Sequence, residues 1–230
     1  MKLQKTEYQT TTMSLEEYLN LAKKDSSVYS TPAQRMLKAI GTPIKVDTSK
    51  ESRLSRIFGN RSIRKYEAFY DFYGLDDVIS RIVSFFQHAS QDLEESRQIL
   101  YLLGPVGSAK SSLVERLKSL MEKEPIYVLA DEKGNLSPIH ESPLSVCGKE
   151  IIEKELKVKI NLVVPSPWAT KRLKEYKGDL SRFKVVKMFP SQLDQIAISK
   201  TEPGDENNQD ISALVGKVDI RKLEHFAQND

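Results

Sequence analysis

The chain has 230 residues, enough for one large domain or a domain with an appendage, and enough to bury a substantial core. Its 39% hydrophobic and 29% charged residues suit a water-soluble protein, and no apolar run approaches the roughly 20 residues of a membrane span. A net charge of +3 is too small to imply nucleic acid, and the lone Cys147 excludes an intramolecular disulfide or a multi-cysteine zinc site. The leading MKLQKTEYQTTTMSLEE lacks the apolar core of an export signal, so the cytoplasm is the expected compartment.

Residues 1–13 are polar and Thr-rich and are expected to form a flexible lead-in. Ser14 with Glu17 makes a capping box, and Leu15, Tyr18, Leu19 and Ala22 line one face of a short helix. Thr31 and Pro32 open a second helix through Met36, Leu37 and Ile40, which Gly41 stops. From Pro43 to Tyr70 the pattern is irregular and basic. Arg53, Arg56, Arg61, Arg64 and Lys65 alternate with Phe58, Tyr66 and Phe69, but Glu51, Glu67 and Asp71 dilute the charge, and a solvated face fits better than a nucleic-acid surface. Asp76 and Asp77 suit the first turn of the next helix, whose apolar stripe is Ile79, Ile82, Val83 and Phe86; His88 near its end reads as structural.

The informative stretch is QILYLLGPVGSAKSSLVERLKSL, residues 98–120. Ile99 to Leu103 suits a fully buried strand of a parallel sheet, with apolar side chains on both faces. Gly104, Pro105, Val106, Gly107, Ser108 and Ala109 form a turn of little bulk, and Leu113, Leu117, Leu120 and Met121 recur at helical spacing after it. A helix N-terminus offers unpaired N–H groups and the positive end of its dipole to a triphosphate. In the pattern G-x-x-x-x-G-K-[ST], Lys110 reaches the β and γ phosphates of ATP and Ser111 puts its hydroxyl on Mg²⁺, with Ser112 next on the helix. Ala109 stands where that pattern has glycine; at positive φ its Cβ costs about 1–2 kcal/mol, and at negative φ it simply starts the helix.

Ile126 to Leu129 reads as a second strand, which completes a β-α-β unit, and Asp131 to Asn135 is a turn. His140 falls in an irregular loop without metal-ligand spacing. Helices follow at Ile151 to Leu156 and from Ser166 and Pro167 to Gly178, with Trp168 packed inside. Phe183 to Phe189 is a strand, and Ser191 is expected to cap a helix containing Leu193, Ile196 and Ala197. TEPGDENNQD reads as a solvated acidic turn, with Asp210 capping a last helix through Leu214, Val218, Ile220 and Leu223. A hydrolytic site of this kind also needs an acid at the end of a strand. Tyr127 to Asp131 is the one apolar run that ends in an acid, but its turn-like sequel argues against it, and the acid is expected beyond Asp230.

The strings SRLSRIFGNRSIRKY, FYGLDDVISRIVSFFQHA, YLLGPVGSAKSSLVERLKSLMEKEPIYVLA and TEPGDENNQDISALVGKVDIRKLEHFAQND closely resemble the PrkA family of bacterial serine protein kinases, over roughly residues 14–230. The resemblance implies an α/β fold: a P-loop NTPase of AAA+ type with a parallel sheet core, incomplete here, preceded by a small helical region. It implies three parts, a lead-in at 1–13, the N-terminal helical region at 14–70, and the nucleotide-binding domain at 71–230, continuing past the chain end. It further implies ATP and Mg²⁺ as cofactors, a protein substrate, and homo-oligomers formed through the AAA+ domain. MoxR-type and MCM-type ATPases look similar in placing Ala before the lysine, which makes Ala109 compatible with a working loop. By position, Tyr73, Gly74 and Leu75 match the residues that meet adenine in AAA+ proteins. Three functions follow as expectations: the ATP-binding module of a serine protein kinase, a remodelling or protease-associated ATPase, or a non-catalytic nucleotide-gated interaction module.

Overall fold

The computed structural model describes residues 10–157 and 164–200. The acidic turn, Asp210 and the last expected helix lie outside the described residues, as does most of the expected lead-in. Strand β1 (Thr11–Ser14) runs directly into α1 (Leu15–Lys24). The expected capping box is present: Ser14 Oγ accepts from Glu17 N at 3.1 Å, and Ser14 N donates to the Glu17 carboxylate at 2.8 Å. Residues 11–13 are therefore not a free lead-in. An edge strand needs only its backbone to pair, so polar threonines serve, and Met13 packs on the core.

Helix α2 (Pro32–Ile40) has its own capping box, Thr31 with Gln34, and ends at Gly41 with φ +81°. The basic stretch that followed no pattern in sequence is a hairpin, β2 (Ile44–Asp47) with β3 (Ser62–Lys65), holding α3 (Ser52–Phe58) between its strands. Thr48, fully buried, closes it by donating from Oγ1 to the carbonyl of Arg61 at 2.7 Å. Arg53, Arg56, Arg61 and Arg64 are exposed. Helix α4 (Asp76–Ser90) and helix α5 (Lys110–Met121) then bury Ile79, Ile82 and Val83 against Leu113, Leu117 and Leu120, with Met36 and Ile40 of α2 and the rings of Tyr66 and Phe69. Fully burying each aliphatic side chain contributes about 1.5–3 kcal/mol, so this cluster is what seats α5.

Strand β4 (Ile126–Ala130) leads through α6 (Lys149–Leu156) and α7 (Pro167–Glu175) to β5 (Lys184–Met188). The sheet order is β1-β5-β4. Successive β4 side chains face opposite ways. Leu129 joins Val185, Leu15, Tyr18 and Phe183 in one cluster, and Ile126 and Val128 meet Met188 in another. Cys147 lies in the first cluster, where burial pushes its thiol up to about 11, so it is an inert packing residue.

Two expectations fail on this geometry. All strand pairs among the described residues are antiparallel, and no β-α-β unit forms between residues 99 and 130. Residues 191–197 make a turn closed by a Ser191–Ile196 bridge rather than a helix. Ser191 Oγ does accept from Asp194 N at 3.2 Å, but Gln195 and Ala197 take φ of +54° and +56°, and Ile196 packs on the Ile126 cluster, which a helix would turn away. No helix among the described residues is long and apolar enough to cross a membrane.

Candidate nucleotide site

The loop sits between an extended segment and α5. Leu100 and Leu102 pack on the α2, α4 and α5 cluster, while Ile99, Tyr101 and Leu103 are 90%, 78% and 85% exposed. Residues 99–103 thus alternate as an extended chain does, but no strand pairs with them among the described residues. They are not the fully buried strand expected, because that needs ladder partners on both edges and cover on both faces.

Beyond Leu103 the chain closes on itself. Gly107 takes φ +81°, the left-handed region that suits glycine. A Cβ at Gly104 would lie 2.9 Å from Ser108 Oγ, so a side chain there would displace that hydroxyl. Ser108 Oγ donates to the Pro105 carbonyl at 2.7 Å and locks the turn. Inside it, Lys110 Nζ donates to Gly104 O at 2.7 Å, Pro105 O at 2.6 Å and Ser108 Oγ at 3.1 Å, so all three ammonium protons rest on neutral oxygens of the loop. Ala109, the N-cap of α5, has φ +59° and ψ 17° and gives no side-chain cap. The first-turn N–H groups of α5 therefore have no side-chain acceptor there, and Ser111 and Ser112 are exposed beside them. Val106 is wholly exposed at the tip.

A cleft of about 460 Å³ lies along α5, beginning at Ser111 and Ser112 next to Lys110 and lined by none of the loop residues 104–110. Ser111, Ser112, Glu115, Arg116 and Ser119 of α5 form one wall, and Asp71 and Phe72 form the other. Glu115 is an anion at neutral pH; the hydrogen bond from Lys118 Nζ, 2.6 Å away, is the main cause holding its carboxyl below the usual range. Tyr73, beside Phe72, is 83% exposed, Gly74 takes φ +76°, and Leu75 is half-buried as the N-cap of α4. The structure so brings the segment preceding Tyr73 to the same cleft as Ser111 and Ser112. It records no contact between Tyr73 and the loop.

Arg116 was not legible as a site residue when its sequence stood alone. The signal was there: Ser112, Arg116 and Ser119 follow i, i+4, i+7 on the face of α5 that flanks its leucine stripe. Asp131, the candidate acid, is buried and committed. Its carboxylate accepts from Lys133 N at 3.0 Å, Asn135 N at 2.8 Å and Asn135 Nδ2 at 3.0 Å, and Arg172 stands 3.5 Å away. Burial pushes its pKa up, but these hydrogen bonds outweigh that and hold it low. It closes a turn and is not free to hold a cation. Among the described residues no group of three or more His, Cys, Asp or Glu is placed to hold a metal ion.

The family described as PrkA AAA domain matches residues 13–230. The chain belongs to that family. Membership in an AAA domain family implies the P-loop NTPase fold class, one associated with nucleotide binding. It is 57% identical over 223 residues to "Serine/threonine kinase YeaG" of Escherichia coli (strain K12), a match covering 94% of this chain and 34% of the relative. It is 29% identical over 221 residues to "ATP-dependent protease PrkA" of Bacillus subtilis (strain 168), covering 91% of this chain and 32% of that one. The chain thus spans about a third of the length of these curated relatives. No solved structure matches it.

Proposed function

We propose that the chain is the ATP-binding AAA+ module of a PrkA-type serine protein kinase, acting in the cytoplasm on protein substrates with Mg-ATP. The observation that carries the nucleotide reading is the Lys110 ammonium held by three loop oxygens at the uncapped start of α5. Phosphate oxygens are stronger acceptors than carbonyls, so Lys110 exchanges the loop contacts for the β and γ phosphates. The backbone from Gly104 to Ser112 wraps the phosphates, whose charge the α5 dipole favours. Tyr73, Gly74 and Leu75 take the adenine. The residues fit a magnesium nucleotide: Ser111 offers an exposed hydroxyl next to Lys110, and Mg²⁺ there would neutralise charge on the phosphates. Homo-oligomers through the AAA+ domain belong to the same reading.

The kinase assignment leans on the 57% identity to a relative named a serine/threonine kinase. A second reading, a remodelling or protease-associated ATPase, is favoured by the name of the Bacillus relative. One measurement tests the site they share and a second separates them. Lys110→Ala should weaken ATP binding by about a hundredfold in calorimetry, about 2.7 kcal/mol, with the melting temperature kept, because Lys110 contacts only loop oxygens. Unchanged affinity refutes the site. With the full-length protein, transfer of labelled γ-phosphate to protein serine supports the kinase; hydrolysis coupled to loss of a protein substrate, without transfer, supports the rival. Tight ATP binding with neither activity leaves the nucleotide-gated interaction module.

A further inference from the structure

We propose that Arg116 is a positioning residue that sets the base-side wall of the nucleotide cleft against the phosphate loop; the proposal rests on reading that cleft as an ATP site. One guanidinium makes three contacts to one short segment. Its Nη1 donates to the carbonyl of Ala68 at 2.6 Å, its Nη2 donates to Asp71 Oδ2 at 2.5 Å, and its carbon lies 5.4 Å from the centre of the Phe72 ring. Phe72 in turn meets Phe69 edge-on at 5.9 Å, and Phe69 is buried in the cluster that seats α5. Residues 68–72 immediately precede Tyr73, Gly74 and Leu75. Arg116 lies on the helix whose first turn carries Lys110 and Ser111, about 9 Å along its axis from Lys110.

The consequence is geometric. Tyr73 and Gly74 are exposed, so their distance from the loop is set by the residues on either side of them, Leu75 packed on the α2, α4 and α5 cluster and residues 68–72 before them. Arg116 sets the second of these by tying the preceding residues to α5. A planar fork does this and an ammonium does not, because a carbonyl, a carboxylate and a ring face are engaged at once. Arg116 acts through the wall it holds. It therefore governs binding of the base and sugar end of the ligand, while the triphosphate end depends on Lys110 and the α5 N-terminus.

The test compares ATP with inorganic tripolyphosphate, which needs only the loop, in calorimetric titrations of the full-length protein. Arg116→Ala should weaken ATP about tenfold to thirtyfold, in keeping with loss of charge-assisted hydrogen bonds, and leave tripolyphosphate unchanged. Arg116→Lys should fall between, and Asp71→Asn should shift the same ratio in the same direction. Equal weakening of both ligands, or an unchanged ratio, overturns the proposal. So does a wild-type protein that binds ATP no better than tripolyphosphate. If Arg116→Ala binds neither ligand because it does not fold, Asp71→Asn, which keeps the shape of the wall, decides. The parent reading fails separately, and visibly, when Lys110→Ala retains both ligands.

Discussion

Ala109 is where backbone and chemistry conflict. Its φ of +59° costs a residue with a Cβ about 1–2 kcal/mol, yet it lets the chain leave the loop and enter α5 with Lys110 turned back under Gly104 and Pro105. Glycine would remove the cost but would loosen the unfolded chain by up to about 1 kcal/mol. Ala109→Gly should therefore match or slightly exceed the parent in melting temperature. Ala109→Val, with a β-branched side chain in the same conformation, should melt several degrees lower and bind ATP more weakly. Differential scanning fluorimetry with and without ATP checks the order; a valine variant as stable as the glycine variant would show that α5 can start at negative φ. The sequence raised both possibilities for Ala109, and only a backbone angle chooses between them.

At the scale of elements, Glu141 joins the excursion after β4 to α7. Its carboxylate accepts from Ser137 Oγ at 2.7 Å, Ser145 Oγ at 3.0 Å, Ser166 N at 3.1 Å and Ser166 Oγ at 2.5 Å, and its own carbonyl accepts from Leu129 N at 2.9 Å. Ser166 also caps α7 by accepting from Ala169 N at 3.1 Å. Burial raises the pKa of Glu141, but the serine hydrogen bonds outweigh it and leave the group below the ordinary carboxylate value. The unfolded chain thus takes up the proton first as pH falls. The stabilisation from Glu141 is complete above its ordinary value near pH 4.5 and is lost as pH drops through the lower folded value. Glu141→Gln should cost about 3 kcal/mol at pH 7, since buried serines lose a charged acceptor, and should flatten the acid limb of stability against pH. Urea melts between pH 3 and 7 read this directly; parallel curves for parent and variant would rule it out. Nothing in the spacing of Ser137, Glu141, Ser145 and Ser166 marks them as a network, because Ser166 arrives from another helix.

For the molecule as a whole, Ile99, Tyr101 and Leu103 of residues 99–103 and Val106 of the loop are exposed apolar side chains close in sequence to the candidate site. Ile99 and Leu103 contribute nothing to the described core, so Ile99→Thr with Leu103→Thr should hold stability within about 0.5 kcal/mol per site while reducing self-association in light scattering. Leu100→Ala or Leu102→Ala should destabilise clearly, since both pack against the α5 cluster; equal effects on the two sides would contradict the observed alternation. What local sequence determined was local: the Ser14 capping box, the Thr31 N-cap, the Gly41 stop, the leucine stripe of α5 and the glycine loop around Lys110 depend on contacts within a turn or two, and each is where its residues placed it. What tertiary structure decided was partnership. Apolar content marks residues 99–103, 126–130 and 184–188 as extended, but strand direction depends on which backbone edges meet, and those edges are far apart in sequence. For the same reason Thr11–Ser14 became a strand by finding the free edge of β5, residues 191–197 lost their helix to Ile196, and Arg116 found its acceptors more than forty residues upstream, at Ala68 and Asp71.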